Sequence, residues 1–171
     1  MTIDVEGRIF SFPNGWLVEK YDDGTFYRNR FEKCLKGVDG VKAIDILAFS
    51  PDKTMWLIEA KDYRLHRRRK ETTPAEEFAL KVRDSLAGIS AYSILTRGDR
   101  SGQLVSKIIS EAVRIRLVYQ FEQPAKHSKL FPRAFDIADI EQKIKCLLKS
   151  IDPRPMVIDR SNQTKVLWTV A

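Results

Sequence analysis

Three ionisable residues, Asp45, Glu59 and Lys61, interrupt two short apolar runs of the segment IDILAFSPDKTMWLIEAKDYR, residues 44–64. Charged side chains are seldom buried unless they are paired or bind a ligand. In an extended chain, successive side chains point to opposite faces, so Glu59 and Lys61 share one face of their strand. The residue types and their spacing therefore predict one site that contains two carboxylates and an ammonium group.

A hairpin would bring the two carboxylates together. Residues 42–49 and 54–61 have strand composition, and the intervening SPDKT supplies turn chemistry, with Asp52 as a turn residue. If the turn is centred on Asp52, Asp45 and Glu59 lie at equal distances from it and face each other. Two carboxylates held close together are unfavourable unless a positive charge lies between them. This spacing favours a divalent cation between Asp45 and Glu59.

Such a set is suited to hydrolysis of phosphodiester bonds. Mg²⁺ binds through one or two carboxylates together with phosphate oxygens and water, and Mn²⁺ is the other candidate. The ion polarises the phosphate and lowers the pKa of a bound water. Lys61 could orient that water or stabilise the transition state. The alternative is an ion pair on the surface, in which Lys61 bridges to Glu59 or Asp62 and Asp45 lies elsewhere.

The surrounding pattern predicts the elements that position these residues. Apolar residues recur at helical spacing in segments 25–36, 73 to about 98, 102–112 and 137–151. Thr73 and Glu76 form a capping-box pattern at the start of the second of these helices. Strand patterns occupy 42–49, 54–61, 113–121 and the C-terminal VLWTV, and residues 8–20 predict a hairpin or turn at Pro13-Asn14-Gly15. We expect a single α/β domain over residues 1–171, with a central mixed β-sheet flanked by helices.

Asp45, followed after 13 intervening residues by Glu59-Ala60-Lys61, resembles the motif of the PD-(D/E)xK, or restriction-endonuclease-like, nuclease superfamily. The predicted element order over residues 25–121 is also similar. The resemblance implies a restriction-endonuclease-like fold and a Mg²⁺-dependent deoxyribonuclease of the endonuclease type. It implies Asp45 and Glu59 as metal ligands, Ala60 as a ligand through its backbone carbonyl, and Lys61 as catalytic base or water-orienting group. The motif's proline is replaced by Ile44.

Further candidates lie on the two neighbouring predicted helices. Members of this superfamily often carry an extra acid on the helix before the Asp strand, which makes Glu32 a candidate metal or water ligand; a solvated helix acid is the alternative. Lys81 and Asp84 on the long helix either face the site or pair with each other at i, i+3.

The segment KDYRLHRRRK, residues 61–70, carries a large part of the net charge of +7. Its basic residues are Lys61, Arg64, Arg67, Arg68, Arg69 and Lys70. Because the tract begins where the candidate site ends, we expect Arg64 and the residues after it to contact nucleic-acid phosphates. A solvated basic loop is the alternative. The preference for DNA over RNA rests on the resemblance.

Composition limits the remaining possibilities. The chain has 171 residues, 43% of them hydrophobic and 31% charged, and no apolar run approaches the roughly 18 residues of a membrane span. We expect no secretory signal and a cytoplasmic protein in which Cys34 and Cys146 are reduced, buried thiols.

A catalytically inactive protein of the nuclease fold, binding nucleic acid or another protein, is the alternative function. A homodimer is a further possibility, because small nucleases often pair to cut two strands.

Overall fold

The computed structural model describes residues 1–29, 41–64, 72–95, 103–123 and 135–171, and these form both strands and helices. The strands are β1 (Thr2–Val5), β2 (Arg8–Ser11), β3 (Leu17–Lys20), β4 (Ile46–Phe49), β5 (Thr54–Asp62), β6 (Arg114–Glu122), β7 (Met156–Ile158) and β8 (Thr169–Val170). The helices are α1 (Thr25–Tyr27), α2 (Pro74–Leu95), α3 (Gln103–Glu111) and α4 (Ile137–Leu148), and a 3-10 turn spans Gln163–Lys165.

The central sheet has five strands in the order β3-β4-β5-β6-β7. The β3–β4 and β4–β5 pairs are antiparallel, whereas β5–β6 and β6–β7 are parallel. Ile46 lies opposite Ile58 in the β4–β5 pair, which is the register expected for a hairpin centred on Asp52. The prediction of one α/β domain with a mixed sheet is confirmed.

The helices and a second sheet cover opposite faces of the central sheet. On one face, side chains of α2, α3 and α4 such as Phe78, Ile108 and Ile144 form one core with Leu57 and Leu117 of the sheet. The other face packs against the three-stranded sheet β1-β2-β8. The alternation of side chains along β5 and β6 therefore serves two separate cores, which explains why both strands are largely apolar on both faces.

Of the two alternatives predicted for residues 8–20, a hairpin or a turn, the structure has the turn. Gly15 has a φ of 85°, and the amide of Trp16 donates to the carbonyl of Pro13 at 3.4 Å. This turn carries the chain from β2 in the small sheet to β3 in the central sheet, and the two strands do not pair. Apolar patterning identifies strands but does not specify the partner of each.

Strand β4 is shorter than predicted, because side chains of α2 bond to the backbone of the preceding residues. Residues 41–45 are outside any strand, and β4 begins at Ile46. The amide of Ile44 donates to Ser85 Oγ at 3.0 Å, and the amide of Lys42 donates to Asp84 Oδ2 at 3.1 Å. These helix side chains satisfy backbone groups that a longer β-ladder would have used.

Several element boundaries differ from the predictions. The strand predicted at VLWTV is limited to Thr169–Val170, and β1 and β7 were not predicted. Helix α4 ends at Leu148, earlier than the predicted residue 151, and Cys146 on it is exposed rather than buried. Only the beginning of the helix predicted over 25–36 lies within the described residues.

None of the helices in the described ranges combines the length and apolar character needed to cross a bilayer.

Candidate active site

The predicted carboxylates meet on the helix-covered face of the central sheet. Asp45 directly precedes β4 and Glu59 lies near the end of β5, and the β4–β5 register places them opposite each other. Asp45 is 5% exposed and Glu59 is 1% exposed. The structure therefore brings together two buried acids on adjacent chain segments, as the hairpin predicts.

Backbone hydrogen bonds fix the position of Asp45. Its Oδ2 accepts from the amide of Ala60 at 2.7 Å, and its carbonyl accepts from the amide of Tyr21 at 2.9 Å. The carboxylate thus bonds to the segment that carries Glu59, which holds the two acids in register without a ligand.

The Lys61 ammonium group lies beside both carboxylates. Its Nζ is 3.1 Å from Glu59 Oε1 and 3.6 Å from Asp45 Oδ2. It also donates to the carbonyl of Ala60 at 2.9 Å and to Glu6 Oε1 at 3.0 Å. Lys61 is therefore held by acceptors from three separate parts of the chain.

A second lysine, Lys81 of α2, completes the cluster. Its Nζ is 2.7 Å from Glu59 Oε1 and 3.3 Å from Asp45 Oδ1. Asp84 instead accepts from the amide of Lys42 and pairs with Arg83. Of the two residues for which sequence left the choice open, Lys81 faces the site and Asp84 does not.

Burial and the neighbouring charges shift the protonation of these groups. Burial, reinforced by the Asp45 carboxylate, raises the pKa of Glu59 to about 7, although Lys81 and Lys61 oppose this shift. Burial alone would lower the pKa of Lys61 and Lys81, but the carboxylates of Glu59 and Asp45 raise both above their ordinary value. Both lysines are therefore cationic at neutral pH.

The donor atoms fit a small divalent cation that prefers oxygen. Glu59 Oε2 is buried and has no hydrogen-bond partner among the described residues. Together with Asp45 and the carbonyl of Ala60, it offers two carboxylates and one backbone oxygen. No group of three or more His, Cys, Asp or Glu side chains in the described ranges is arranged to hold a metal ion. A cation here would keep several waters, as Mg²⁺ usually does.

Sequence reasoning missed two acids next to this cluster. Glu6 has a φ of 52° in the turn between β1 and β2, and its Oε2 accepts from the amide of Asp62 at 3.3 Å. Asp22 has a buried Oδ1 with no partner among the described residues, and burial together with Asp45 raises its pKa. Both residues are far from the motif in sequence, and no local signal links them to it.

A cavity of about 380 Å³ opens beside the site. It is lined by Asp22, Tyr27, Arg28, Val41, Lys42, Ala43, Lys61, Glu77 and Lys81. Four of these residues are cationic and two are acidic, and two of the cations, Lys61 and Lys81, are paired with Asp45 and Glu59. The cavity is therefore polar.

The remaining predicted site residues are only partly within the described structure. Arg64 pairs with Asp62, since its Nε lies 3.0 Å from each carboxylate oxygen. Glu32 and the tract members Arg67, Arg68, Arg69 and Lys70 lie outside the described residues. Their predicted roles stay predictions.

Comparison with known proteins gives one partial match. No protein-family model and no solved structure matches this chain. The chain is 30% identical over 168 residues to a cysteine–tRNA ligase of Neisseria meningitidis serogroup A / serotype 4A (strain DSM 15465 / Z2491), an alignment that covers 82% of this chain and 24% of the ligase. Because the chain spans about a quarter of the length of this curated relative, the match does not assign it to a family.

Proposed function

We propose that the protein is a metal-dependent nuclease with a restriction-endonuclease-like fold, which hydrolyses phosphodiester bonds and acts on DNA in preference to RNA. One observation carries the proposal. Asp45 and Glu59 are buried opposite each other at the ends of adjacent strands, with the Lys61 ammonium group 3.1 Å from Glu59 Oε1. Buried charges of this kind are weak stabilisers, so a chemical role explains them better than stability does.

In this proposal Asp45, Glu59 and the carbonyl of Ala60 would hold Mg²⁺ or Mn²⁺. The bound ion supplies the polarisation of the phosphate and the lowered pKa of a water. The raised pKa of Lys61 keeps its amine protonated, which favours orientation of water and stabilisation of developing negative charge over a role as general base. The hydrogen bond from Ala60 to Asp45 fixes the carboxylate before the cation arrives.

The topology of the sheet supports the same proposal. Antiparallel β4 and β5 carry the acids, α2 crosses above them, and β6 returns parallel to β5. This agrees with the element order on which the resemblance to the PD-(D/E)xK superfamily depends.

A nuclease-fold protein that binds nucleic acid or another protein without hydrolysis is the second candidate. It is favoured by the two lysines, whose ammonium groups lie beside both carboxylates and compensate their charge. The similarity to a protein named as a tRNA ligase also makes RNA a ligand to test.

The decisive experiment incubates the protein with supercoiled plasmid, single-stranded DNA and a transfer RNA in Mg²⁺, Mn²⁺, Ca²⁺ or excess chelator. Cleavage should require Mg²⁺ or Mn²⁺, while Ca²⁺ should support binding with little turnover. Asp45→Asn should lower the rate by about 10²-fold or more. Asp52→Asn is the matched control, because Asp52 lies in the turn at the opposite end of the hairpin and bonds to Thr54.

Equal cleavage in chelator, or parent rates for Asp45→Asn, would remove this site from the reaction. Binding of DNA or tRNA without cleavage under any metal condition would instead favour the second candidate.

A further inference from the structure

We propose that Lys81 is the resident counter-ion of the carboxylate pair, and that a divalent cation binds by displacing its ammonium group. This inference rests on the proposed function only in taking Asp45 and Glu59 as cation ligands. It adds that metal affinity is set by a residue of α2 outside the motif.

The position of Lys81 Nζ carries the inference. It contacts oxygens of both carboxylates, Glu59 Oε1 at 2.7 Å and Asp45 Oδ1 at 3.3 Å. Lys61 is 3.1 Å or more from the same pair and also bonds to Glu6 and to the carbonyl of Ala60. Lys81 therefore bridges the two acids more closely than Lys61, at the place that a shared cation would take.

Charge balance makes the two cations competitors. The two carboxylates are neutralised by two ammonium groups, and the Lys81 side chain is only 13% exposed. Adding a divalent ion to this cluster would leave a net positive charge even when Glu6, which pairs with Lys61, is counted, and such a charge is unfavourable at low solvent exposure. The ion can bind well only if an ammonium group leaves, and Lys61 has further acceptors that hold it.

The structure also provides a place for the displaced group. Lys81 lines the cavity of about 380 Å³, and so does Glu77. Glu77 precedes Lys81 by four residues on α2, a spacing at which a glutamate and a lysine can pair on one helix face. Glu77 already faces Lys42, whose Nζ is 3.8 Å from Glu77 Oε1, and a carboxylate can accept from a second ammonium group. The flexible stem of Lys81 allows its ammonium group to turn from the carboxylate pair towards Glu77.

The test measures Mn²⁺ affinity by isothermal titration at pH 8 for the parent, Lys81→Met and Arg83→Met. Arg83 is the matched control, since it is on the same helix, 69% exposed, and pairs with Asp84. We expect Lys81→Met to bind Mn²⁺ at least about tenfold more tightly than the parent. In the parent, the ion must first separate Lys81 from the two carboxylates, and the variant has no such ion pair to break. Arg83→Met should match the parent, and Asp45→Asn should abolish the heat of binding.

Thermal unfolding gives a second readout. Without metal, Lys81→Met should unfold at a lower temperature than the parent, because two acids are left with one ammonium group. Saturating Mn²⁺ should raise the unfolding temperature of Lys81→Met by more than it raises that of the parent.

Parent-like or weaker Mn²⁺ binding by folded Lys81→Met would overturn the inference and leave the proposed function standing. Absence of Mn²⁺ binding in both the parent and the variant would overturn both. If Lys81→Met does not fold, Lys81→Arg decides the matter. It keeps the charge and should bind Mn²⁺ no more tightly than the parent, whereas tighter binding would contradict displacement.

Discussion

At the residue scale, two buried carboxylates, Asp45 and Glu59, and two half-buried ammonium groups, Lys61 and Lys81, balance one another. Each carboxylate has an ammonium group within 3.6 Å. Replacing such a cluster with packed apolar side chains is often neutral or stabilising, whereas removing one member is costly. The cluster therefore contributes little net stability, although the loss of any one member should be costly.

The free energy of unfolding should depend on pH, because burial raises the pKa of Glu59 in the folded protein. Its pKa is raised from 4.5 to about 7 in the folded protein, so the folded state binds more protons between these values. The corresponding stability is present below pH 4.5 and is lost as pH rises through 7. Without metal, Glu59→Gln should lack this decline, which amounts to roughly 3 kcal/mol in the free energy of unfolding. Urea unfolding from pH 4.5 to 8 measures the difference, and parallel curves for both proteins would contradict it.

Lys61→Ala should separate chemistry from binding. The variant keeps both carboxylates and Lys81, so affinities for Mn²⁺ and DNA should not fall. The cleavage rate should fall by about 10²-fold or more, because one preorganised cationic donor is lost. Single-turnover cleavage measures this, with Lys143→Ala as a control, since Lys143 is 51% exposed and pairs only with Asp139 in the described structure. Parent-like cleavage by Lys61→Ala would make Lys61 a structural ion-pair residue.

At the scale of elements, α2 determines where Asp45 lies. Ser85 Oγ accepts from the amide of Ile44 at 3.0 Å, and the carbonyl of Ser85 accepts from Tyr21 Oη at 3.3 Å. The helix begins at the predicted capping box, in which the Thr73 amide donates to Glu76 Oε2 at 2.7 Å and the Glu76 amide donates to Thr73 Oγ1 at 3.2 Å. The same helix therefore anchors the chain before Asp45 and places Lys81 beside the two carboxylates.

Ser85→Ala should show that this anchor matters. It leaves the buried amide of Ile44 without its acceptor, which costs about 1–3 kcal/mol in the free energy of unfolding. Ser110→Ala on α3 is the control, because within the described ranges its exposed hydroxyl donates only to carbonyls of its own helix, and the change should stay within about 0.5 kcal/mol. Urea unfolding compares the two variants, and equal values would mean that solvent or another group replaces Ser85.

At the scale of the whole molecule, the small sheet has two consequences for the site. It covers the face of the central sheet opposite the helices, through an aromatic layer of Phe12, Trp16, Trp56 and Trp168 with ring centroids 5.4–6.1 Å apart. Its β1–β2 turn also brings Glu6 to Lys61. Packing between the sheets and the position of one charged group in the site are therefore linked.

Trp168→Ala should be among the most destabilising substitutions in this layer. Trp168 is 1% exposed and donates to Gln120 Oε1 at 3.2 Å, so truncation leaves a cavity and an unpaired amide, at a cost of about 3–5 kcal/mol. Its neighbour Leu167 is 71% exposed, and Leu167→Ala should change the free energy of unfolding by less than about 0.5 kcal/mol. Similar losses for both variants, measured by urea unfolding, would contradict the observed packing.

Long-range charge should govern binding of nucleic acid. If Arg67, Arg68 and Arg69 contact phosphates, replacing all three with Ala should weaken DNA affinity and reduce the slope of log affinity against log salt by roughly one unit per lost contact. Titrations at several salt concentrations measure the slope. An unchanged slope would identify the tract as a solvated loop.

Local spacing in the sequence was sufficient to predict that Asp45 lies opposite Glu59 in the candidate site. Two strands around the turn at Asp52 impose a register, and alternation then places Asp45 opposite Glu59 with Lys61 on the same face. The capping box at Thr73 likewise predicted where α2 begins. These features depend on neighbours close in the chain, and local geometry fixes them.

Only the tertiary structure decided which residues complete the site. Lys81 is 36 residues from Asp45, and Glu6 is 55 residues from Lys61. Neither contact follows from a period or a turn, because it requires α2 and the small sheet to dock on opposite faces of the central sheet. The partner of each strand was undetermined for the same reason, since β2 and β3 are adjacent in sequence yet join different sheets. Burial of apolar faces selects these arrangements, and burial depends on all the elements at once.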